Sequence, residues 1–345
     1  MIAEAFNVIR YSLLLISSIH KKNFSAIGRC INKSGRYVAS LVQKMESNFD
    51  LMERIIIEKL GNSKEIFITI DNTLIKKMFS KQIEGTGKWV DTKIRRKIMA
   101  FKMYTALFTD GKMTLPFHAM FANPDELLPK ATESKYDWIK RIIFAAQRLF
   151  PDKKITLFGD GEFSTIELLR WLRKSKVRAE MRMAKSCKVI FNGQAIRISD
   201  IKGFTPKGRQ MARTIKVEWH GIELHLTANK LINKNGSERI VYQAATYKAK
   251  PAEHVRAYKI RWTIEKLFRT SKQSLGLQDC ISTSLETQLN HATSVLLAYS
   301  LLQIECRYQR LDSPEKAIQS LRTKKLDFLQ HRFVRVHQLF GEIRA

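Results

Sequence analysis

The chain of 345 residues is long enough to bury a sizeable core and to form two or three domains. Its 61 Lys and Arg residues against 32 acidic residues give a net charge of +29, and a hydrophobic content of 44% excludes global disorder. An enzyme of small neutral metabolites has no use for such self-repulsion. A polyanion neutralises it with release of counterions, so the charge predicts a nucleic-acid partner.

The first sixty residues are predicted to be helical, beginning with the apolar run in MIAEAFNVIRYSLLLISSIHKK. Glu4 and Arg10 precede that run and no small-residue cleavage pattern follows it, which favours a helix over a signal peptide. In FSAIGRCINKSGRYVASLVQKM, turn residues 32–35 separate two short helices. This pattern is typical of a helix-turn-helix that docks its second helix in DNA, although any small helical bundle contains such a break.

Residues 64–184 are predicted to form a mixed α/β layer in which helices pack on a sheet. Two short apolar strands end on an aspartate, the first in KEIFITIDNT on Asp71 and the second in KITLFGD on Asp160. The basic segment KWVDTKIRRK is predicted to be a loop, and Asp110-Gly111 to turn a β-hairpin. The other elements predicted here are a helix over 135–150, a helix in FSTIELLRWLRKS capped by Ser164 or Thr165, and a strand in VRAEMRMA.

The segment from about 186 to 247 alternates apolar and polar residues and is predicted to be an all-β insertion. Asn192-Gly193 and His220-Gly221 mark the turns of two hairpins. The remainder, 252–345, returns to helix, and its apolar run VLLAYSLL is too short to span a bilayer.

Asp71 and Asp160 are candidates for a metal site. Neighbouring parallel strands would place two strand-ending carboxylates about 5 Å apart, where they repel each other unless a cation lies between them. Oxygen ligands of this kind suit Mg²⁺ or Mn²⁺. The alternative for each residue is that it only begins a turn. The four widely spaced cysteines include no CxxC pair, so no zinc site is expected. Free thiols of this kind are typical of a protein in a reducing cytoplasm.

The stretch YKIRWTIEKLFRTSK is predicted to be an amphipathic helix with one apolar stripe. The adjoining stripe spans about 60° of the helix and carries Tyr258, Arg261, Glu265 and Lys272. One stripe would pack on a sheet while the other faces a site at its edge. Because Arg261 and Glu265 are four residues apart, a plain surface salt bridge is the alternative.

The spacing Y-x2-R-x3-E-x6-K resembles the signature of the insertion-sequence-four (IS-four) family of bacterial DDE transposases, which includes the Tn-five and Tn-ten transposases. Ile70-Asp71-Asn72-Thr73 is similar to the first motif of that family, and Gly159-Asp160-Gly161-Glu162-Phe163 to the second. The order of Asp, Asp, β-rich insertion and Glu also matches, over roughly residues 64–300.

The resemblance implies a ribonuclease-H-like, retroviral-integrase-like mixed sheet with flanking helices, interrupted by the all-β insertion and preceded by the helical region. It implies that Asp71, Asp160 and Glu265 are catalytic and hold two Mg²⁺ ions, for which Mn²⁺ substitutes. Tyr258, Arg261 and Lys272 would contact the DNA backbone beside the scissile phosphate. Some relatives stack a flipped base on a tryptophan, a role open to Trp219, whose alternative is a packed face.

The predicted domains begin with a helical DNA-binding region over 1–60, the first part of the catalytic core over 61–185 and the β-rich insertion over 186–250. The completion of the core follows over 251–300, and a basic helical tail over 301–345. The expected partner is double-stranded DNA, as transposon ends and target, bound by a dimer. We expect no membrane association and a location in the bacterial cytoplasm.

The predicted function is binding of terminal inverted repeats followed by DNA cleavage and strand transfer. Two alternatives remain open at this point. One is a metal-dependent nuclease of the same fold that does not join strands, and the other is a catalytically silent DNA-binding repressor or domesticated protein. The three filled acidic positions argue against the silent protein.

Overall fold

A computed structural model of the protein describes residues 2–19, 21–45, 49–78, 83–122, 133–233 and 235–324. In chain order, the helices are α1 Ile2–Ser17, α2 Phe24–Cys30, α3 Gly35–Gln43, α4 Phe49–Leu60, α5 Lys135–Leu149, α6 Ile166–Lys174, α7 Pro251–Gln273, α8 Leu285–Gln309 and α9 Pro314–Arg322. The strands are β1 Glu65–Lys76, β2 Gly87–Asp91, β3 Arg96–Thr109, β4 Thr114–Phe121, β5 Lys154–Gly159, β6 Arg178–Met183, β7 Lys188–Phe191, β8 Gln194–Arg197, β9 Ala212–Trp219, β10 Ile222–Ile232 and β11 Glu238–Ala245.

The chain divides into two compact units. The first contains Met1–Asn62, Asn72–Ala145 and Glu265–Ala345, and the second contains Ser63–Asp71 and Ala146–Ile264. Strand β1 and helices α5 and α7 contribute residues to both units. In the part of the chain that the structure describes, no helix is both long and apolar enough to cross a membrane.

The second unit is built on a mixed sheet with the strand order β1-β5-β6-β11-β10-β9-β7-β8. Strand β5 is parallel to β1 on one side and to β6 on the other, with α6 on the connection between β5 and β6. Strand β11 pairs antiparallel with β6, so the predicted all-β insertion extends this sheet. Its hairpins turn at Asn192-Gly193 and His220-Gly221 as predicted, since all four residues have positive φ, the conformation of tight hairpin turns.

Helix α8 forms much of the core of the first unit. It contacts α1, α3, α9 and β4, and most of its residues are buried. Burial lowers the pKa of His291 to about 4, so its imidazole is neutral. Its Nε2–H donates to the carbonyl of Gly276 at 2.9 Å, which leaves Nδ1 to accept the hydroxyl of Tyr11 at 2.8 Å. The N-terminal helices therefore belong to this core through buried hydrogen bonds as well as apolar packing.

The predicted break at residues 32–35 is confirmed as the turn between α2 and α3. Ser34 caps α3 by accepting the backbone N–H of Tyr37 at 3.1 Å. The two helices approach closely because Gly35 has no side chain: a Cβ there would lie 2.7 Å from the hydroxyl oxygen of Ser25. The buried face of α3 carries Val38 and Val42.

Two predictions about strands are wrong. Strand β1 does not end on Asp71 but continues to Lys76, and the segment predicted as a basic loop forms β2, a turn and the start of β3. In both places the polar residues do not show the apolar pattern of a strand. Their backbones nevertheless pair with neighbouring strands that local sequence does not identify. Strand β1 neighbours β3 as well as β5. The hairpin at Asp110-Gly111, helix α5, strand β6 and the Thr165 cap of α6 are confirmed.

Asn290 of α8 supports the C-terminal end of α3. Its side-chain amide donates to the carbonyls of Val42 at 3.1 Å and Met45 at 2.8 Å. We expect Asn290→Ala to leave these carbonyls unsatisfied and to lower the free energy of unfolding by about 1–3 kcal/mol, measured as a lower urea midpoint. Arg307→Ala, at an exposed site on the same helix, should change it by less than about 0.5 kcal/mol. Equal effects of the two substitutions would contradict the role of Asn290.

Candidate active site

Asp71 and Asp160 lie at the same level on neighbouring parallel strands. The pairing of β1 with β5 runs from Glu65 opposite Lys154 to Thr69 opposite Phe158. Each aspartate is two residues beyond the last pair. Adjacent strands are about 4.8 Å apart, so the carboxylates leave the sheet side by side. This is the arrangement predicted from the sequence, and both residues belong to the second unit.

The end of β5 is shaped around Asp160. A Cβ on Gly159 would lie 2.8 Å from the sulfur of Met181, so a larger residue before this aspartate would require the Met181 side chain to move. One carboxylate oxygen of Asp160, Oδ1, accepts the backbone N–H of Glu162 at 2.8 Å. Asp160 therefore also begins a turn, as the alternative interpretation held, but one carboxylate oxygen suffices for that contact.

A cavity of about 450 Å³ lies beside Asp160, within the second unit. Its walls include Arg182 and Lys185 at the end of β6, and Tyr242 of β11. Neither cation is among the site residues that the sequence predicts. They come beside Asp160 through the parallel pairing of β5 with β6, which sets Met181 opposite Gly159 and which local sequence does not reveal.

Arg261 of α7 lies beside Asp71, with one of its guanidinium nitrogens 3.6 Å from the carboxylate. Its side chain is only 9% exposed, so this contact with Asp71 is largely shielded from water. Within the second unit, Ala257 and Ile260 of the same helix pack against Phe158 of β5. This packing holds the first half of α7 on the strands that carry the aspartates.

A buried carboxylate also anchors α7. Glu180 of β6 accepts hydrogen bonds from Gln243 at 3.0 Å and Tyr247 at 2.9 Å, and lies 2.9 Å from Nδ1 of His254 in the first turns of α7. Burial, followed by the nearby Glu180 charge, raises the pKa of Tyr247 far above its usual range, so the hydroxyl remains a donor. The start of α7 is thus joined to β6 and β11 by a polar cluster in which Glu180, Gln243 and His254 are buried and Tyr247 is partly buried.

The predicted apolar stripe of α7 is confirmed, since Ile264, Leu267 and Phe268 are buried. Glu265 and Lys272 lie on the part of α7 that belongs to the first unit. Partial burial, together with repulsion from Lys93 and Lys76, lowers the pKa of Lys272 to about 8, and Asp91 opposes this shift only in part.

The structure does not test the predicted DNA contacts of Tyr258 and Trp219. Tyr258 lies in α7, but its side chain is outside the part of the chain that the structure describes. Trp219 is half-buried at the end of β9, opposite Ile222 across the hairpin, with its ring 5.3 Å from that of His220. This position fits a ring at a hairpin tip as well as the predicted packed face.

The donor chemistry of the paired aspartates fits a divalent cation, because hard oxygen ligands at one sheet edge suit Mg²⁺. In the described ranges of the chain, no group of three His, Cys, Asp or Glu side chains is arranged to hold a metal ion. Around Asp71, the guanidinium of Arg261 instead supplies positive charge to the carboxylate.

Comparisons with known proteins agree with this geometry. The family model described as transposase DDE domain matches residues 63–301. A cryo-EM structure of a piggyBac transposase synaptic complex with hairpin DNA shares the fold at a TM-score of 0.51 and 11% sequence identity, covering 99% of this chain and 73% of that one. A sequence search of curated proteins found no significant match.

The mixed sheet with flanking helices and two aspartates on adjacent parallel strands defines a ribonuclease-H-like transposase fold, so the predicted fold class is confirmed. The chain belongs to the transposase DDE domain family, a family of DNA transposases whose model matches well over half of its length.

If Lys272 contacts a DNA phosphate, as the sequence predicts, its depressed pKa makes DNA binding depend on pH. The ammonium form binds phosphate and is present below pH 8, so affinity should fall as the pH rises from 7 to 9. In Lys272→Arg the guanidinium stays charged, and this part of the pH dependence should disappear. Fluorescence anisotropy of a labelled duplex at constant ionic strength measures both profiles. Lys259→Arg, an exposed position on α7, serves as control and should follow the wild type. Identical profiles for all three proteins would refute the assignment.

Proposed function

We propose that the protein is a transposase of the IS-four group that binds the terminal inverted repeats of its element and catalyses DNA cleavage and strand transfer. The observation that carries this proposal is the level placement of Asp71 and Asp160 on β1 and β5, with Arg261 of the signature helix against Asp71. Membership of the transposase DDE domain family supports the same reaction class.

Asp71, Asp160 and Glu265 are proposed to hold two Mg²⁺ ions, with Mn²⁺ as a substitute. When bound, the ions supply Lewis-acid activation of the attacking oxygen and neutralise charge on the phosphate. The carboxylates would fix the positions of the ions. Two of them leave the sheet edge side by side, and the third belongs to the helix that carries Arg261. Water as the attacking group cuts the transposon end, and a freed 3′-hydroxyl joins it to target DNA.

Arg261, Tyr258 and Lys272 are proposed to hold the DNA backbone beside the scissile phosphate. A guanidinium contacts phosphate oxygens in pairs, while an ammonium contacts them as a point charge. Arg261 is held by packing of its own helix turn, so its fork is oriented before DNA arrives. Lys272 is crowded by other cations, which a phosphate would neutralise.

The N-terminal helices are proposed to read the inverted repeats, with α3 as the recognition helix. One side of α3 is buried and carries Val38 and Val42, while Arg36, Tyr37 and Ser40 are exposed. This leaves a polar and aromatic surface for the DNA groove. Joining two ends requires a dimer on DNA, and the proposed location is the bacterial cytoplasm. The predicted domains 1–60, 61–185, 186–250, 251–300 and 301–345 are kept as functional regions, although residues 325–345 lie outside the described part.

The central test replaces each carboxylate with its amide. We expect Asp71→Asn, Asp160→Asn and Glu265→Gln each to reduce cleavage in Mg²⁺ by at least about 10³-fold, because a neutral amide neither binds the ions nor balances their charge. DNA binding should stay within a few-fold of wild type. The assay uses linear DNA that carries the ends of the element, with cleaved and joined products separated by electrophoresis. Asp137→Asn, at an exposed site on α5, is the matched control.

Other outcomes identify the alternatives. Cleavage by wild type without joined products favours the nuclease, and salt-sensitive binding without cleavage in Mg²⁺ or Mn²⁺ favours the silent repressor. Wild-type activity in the Asp71→Asn variant would remove the metal-site assignment.

Trp219 is proposed to stack on an unpaired base at the transposon end. Stacking of a base on an aromatic ring contributes about 1–3 kcal/mol. With 2-aminopurine as the terminal base, wild type and Trp219→Phe should quench its fluorescence, whereas Trp219→Ala should not. If Trp219→Ala quenches like wild type but unfolds at a lower temperature, the ring serves packing alone.

A further inference from the structure

The hairpin of β2 and β3, residues 87–100, exposes a concentration of positive charge that the proposed roles leave unused. Pairing runs from Gly87 opposite Ala100 to Asp91 opposite Arg96. All six residues from Thr92 to Lys97 are exposed. The exposed cations of the hairpin are Lys88, Lys93, Arg95, Arg96 and Lys97.

The only acid in this hairpin does not offset those cations. Asp91 is buried and lies 2.5 Å from the ammonium of Lys76 at the end of β1. Its other oxygen accepts the backbone N–H of Lys93 at 2.9 Å, which orders the turn. These contacts lower the pKa of Asp91, with the bond from Lys76 first among the causes. The carboxylate thus fixes the hairpin to β1 and leaves the exposed cations unbalanced.

Two branched apolar side chains are exposed among the cations. Val90 is 58% exposed and Ile94 is 43% exposed. Val90 lies opposite Lys97, so both project from the same face of the ribbon. A face that serves only solubility mixes both signs of charge and keeps such side chains inside. A face that binds DNA needs both cations, for the phosphates, and apolar side chains, for the apolar edges of the bases.

The hairpin lies near a residue already proposed to hold phosphate. Lys93, in the turn, is the charged group that most depresses the pKa of Lys272, and Lys76 is the next. All three lysines belong to the first unit, as do β2 and β3.

We propose that the β2–β3 hairpin binds duplex DNA, with its cations on the phosphates and its exposed Val90 and Ile94 side chains directed into a groove. A two-stranded β-ribbon fits the major groove of B-DNA, and apolar side chains there contact thymine methyl groups. This inference rests on the proposed function, because it assigns a further contact surface to the same DNA substrate.

The test removes three exposed cations from the turn side while keeping side-chain length, in Lys93→Gln/Arg96→Gln/Lys97→Gln. The variant avoids Arg95, which has a φ of 51° and tolerates few substitutions without strain. Its matched control is Arg173→Gln/Lys174→Gln/Lys176→Asn, which removes the same charge from exposed positions at the end of α6. Asparagine is used at Lys176 because it tolerates the φ of 57° at that position. These positions lie at the C-terminal end of α6, about 13 Å along the helix from its N-terminal end, which is the end nearer to Asp160 in the chain.

Binding of a 30-base-pair duplex is measured by anisotropy without divalent ions at several salt concentrations. Each lost phosphate contact should reduce the slope of log affinity against log salt by about 0.9. We expect the hairpin variant to reduce the slope by two to three units and to bind at least about tenfold more weakly at 0.1 M salt. The α6 variant should match wild type in both, and equal melting temperatures confirm that both variants fold.

A second variant, Val90→Thr/Ile94→Thr, should weaken binding without changing the slope. Equal slopes and affinities for the hairpin and α6 variants would overturn the inference, while cleavage by wild type would still support the proposed function. Wild type that binds through the hairpin but never cleaves would overturn the proposed function alone. Failure of wild type to bind duplex DNA would overturn both.

Discussion

The parallel pairing of β1 with β5 is the constraint on which the candidate site depends. It sets Asp71 and Asp160 at one level, where two unit charges about 5 Å apart repel by about 3 kcal/mol at an effective dielectric constant of 20. The guanidinium of Arg261, 3.6 Å from the carboxylate of Asp71, offsets part of that repulsion. A sheet edge of this kind is therefore prepared for cations before any phosphate arrives.

The helix that brings Arg261 to Asp71 is held by interactions of two kinds. Apolar packing of Ala257 and Ile260 on Phe158 fixes its distance from the sheet, while the contacts of Glu180 with His254 and its neighbours fix its start. Apolar contacts alone allow a helix to slide, whereas a buried carboxylate with several partners permits one arrangement. The two together give Arg261 a defined position without any ligand.

Features set by neighbouring residues could be predicted from the sequence, and features set by distant residues could not. The turns at Asn192-Gly193 and His220-Gly221 follow from local φ preferences, and the apolar stripe of α7 from a period of 3.6 residues. The aspartates could be predicted because each follows an apolar run. By contrast, the continuation of β1 past Asp71, the β2–β3 hairpin, and the cations of β6 beside Asp160 depend on strand pairing between distant segments.

The distribution of charge explains how a chain with a net charge of +29 folds and keeps its cations available. Several acidic residues are used inside the protein: Asp91 fixes a hairpin to Lys76, and Glu180 fixes a helix. Acids used this way do not neutralise the surface, so cations accumulate where backbone and packing place them. Lys272 lies within that accumulation: burial is the first cause of its depressed pKa, and repulsion from Lys93 and Lys76 adds to it. A phosphate bound at this position, as proposed, would relieve that repulsion, so the crowding of cations would favour the complex with DNA.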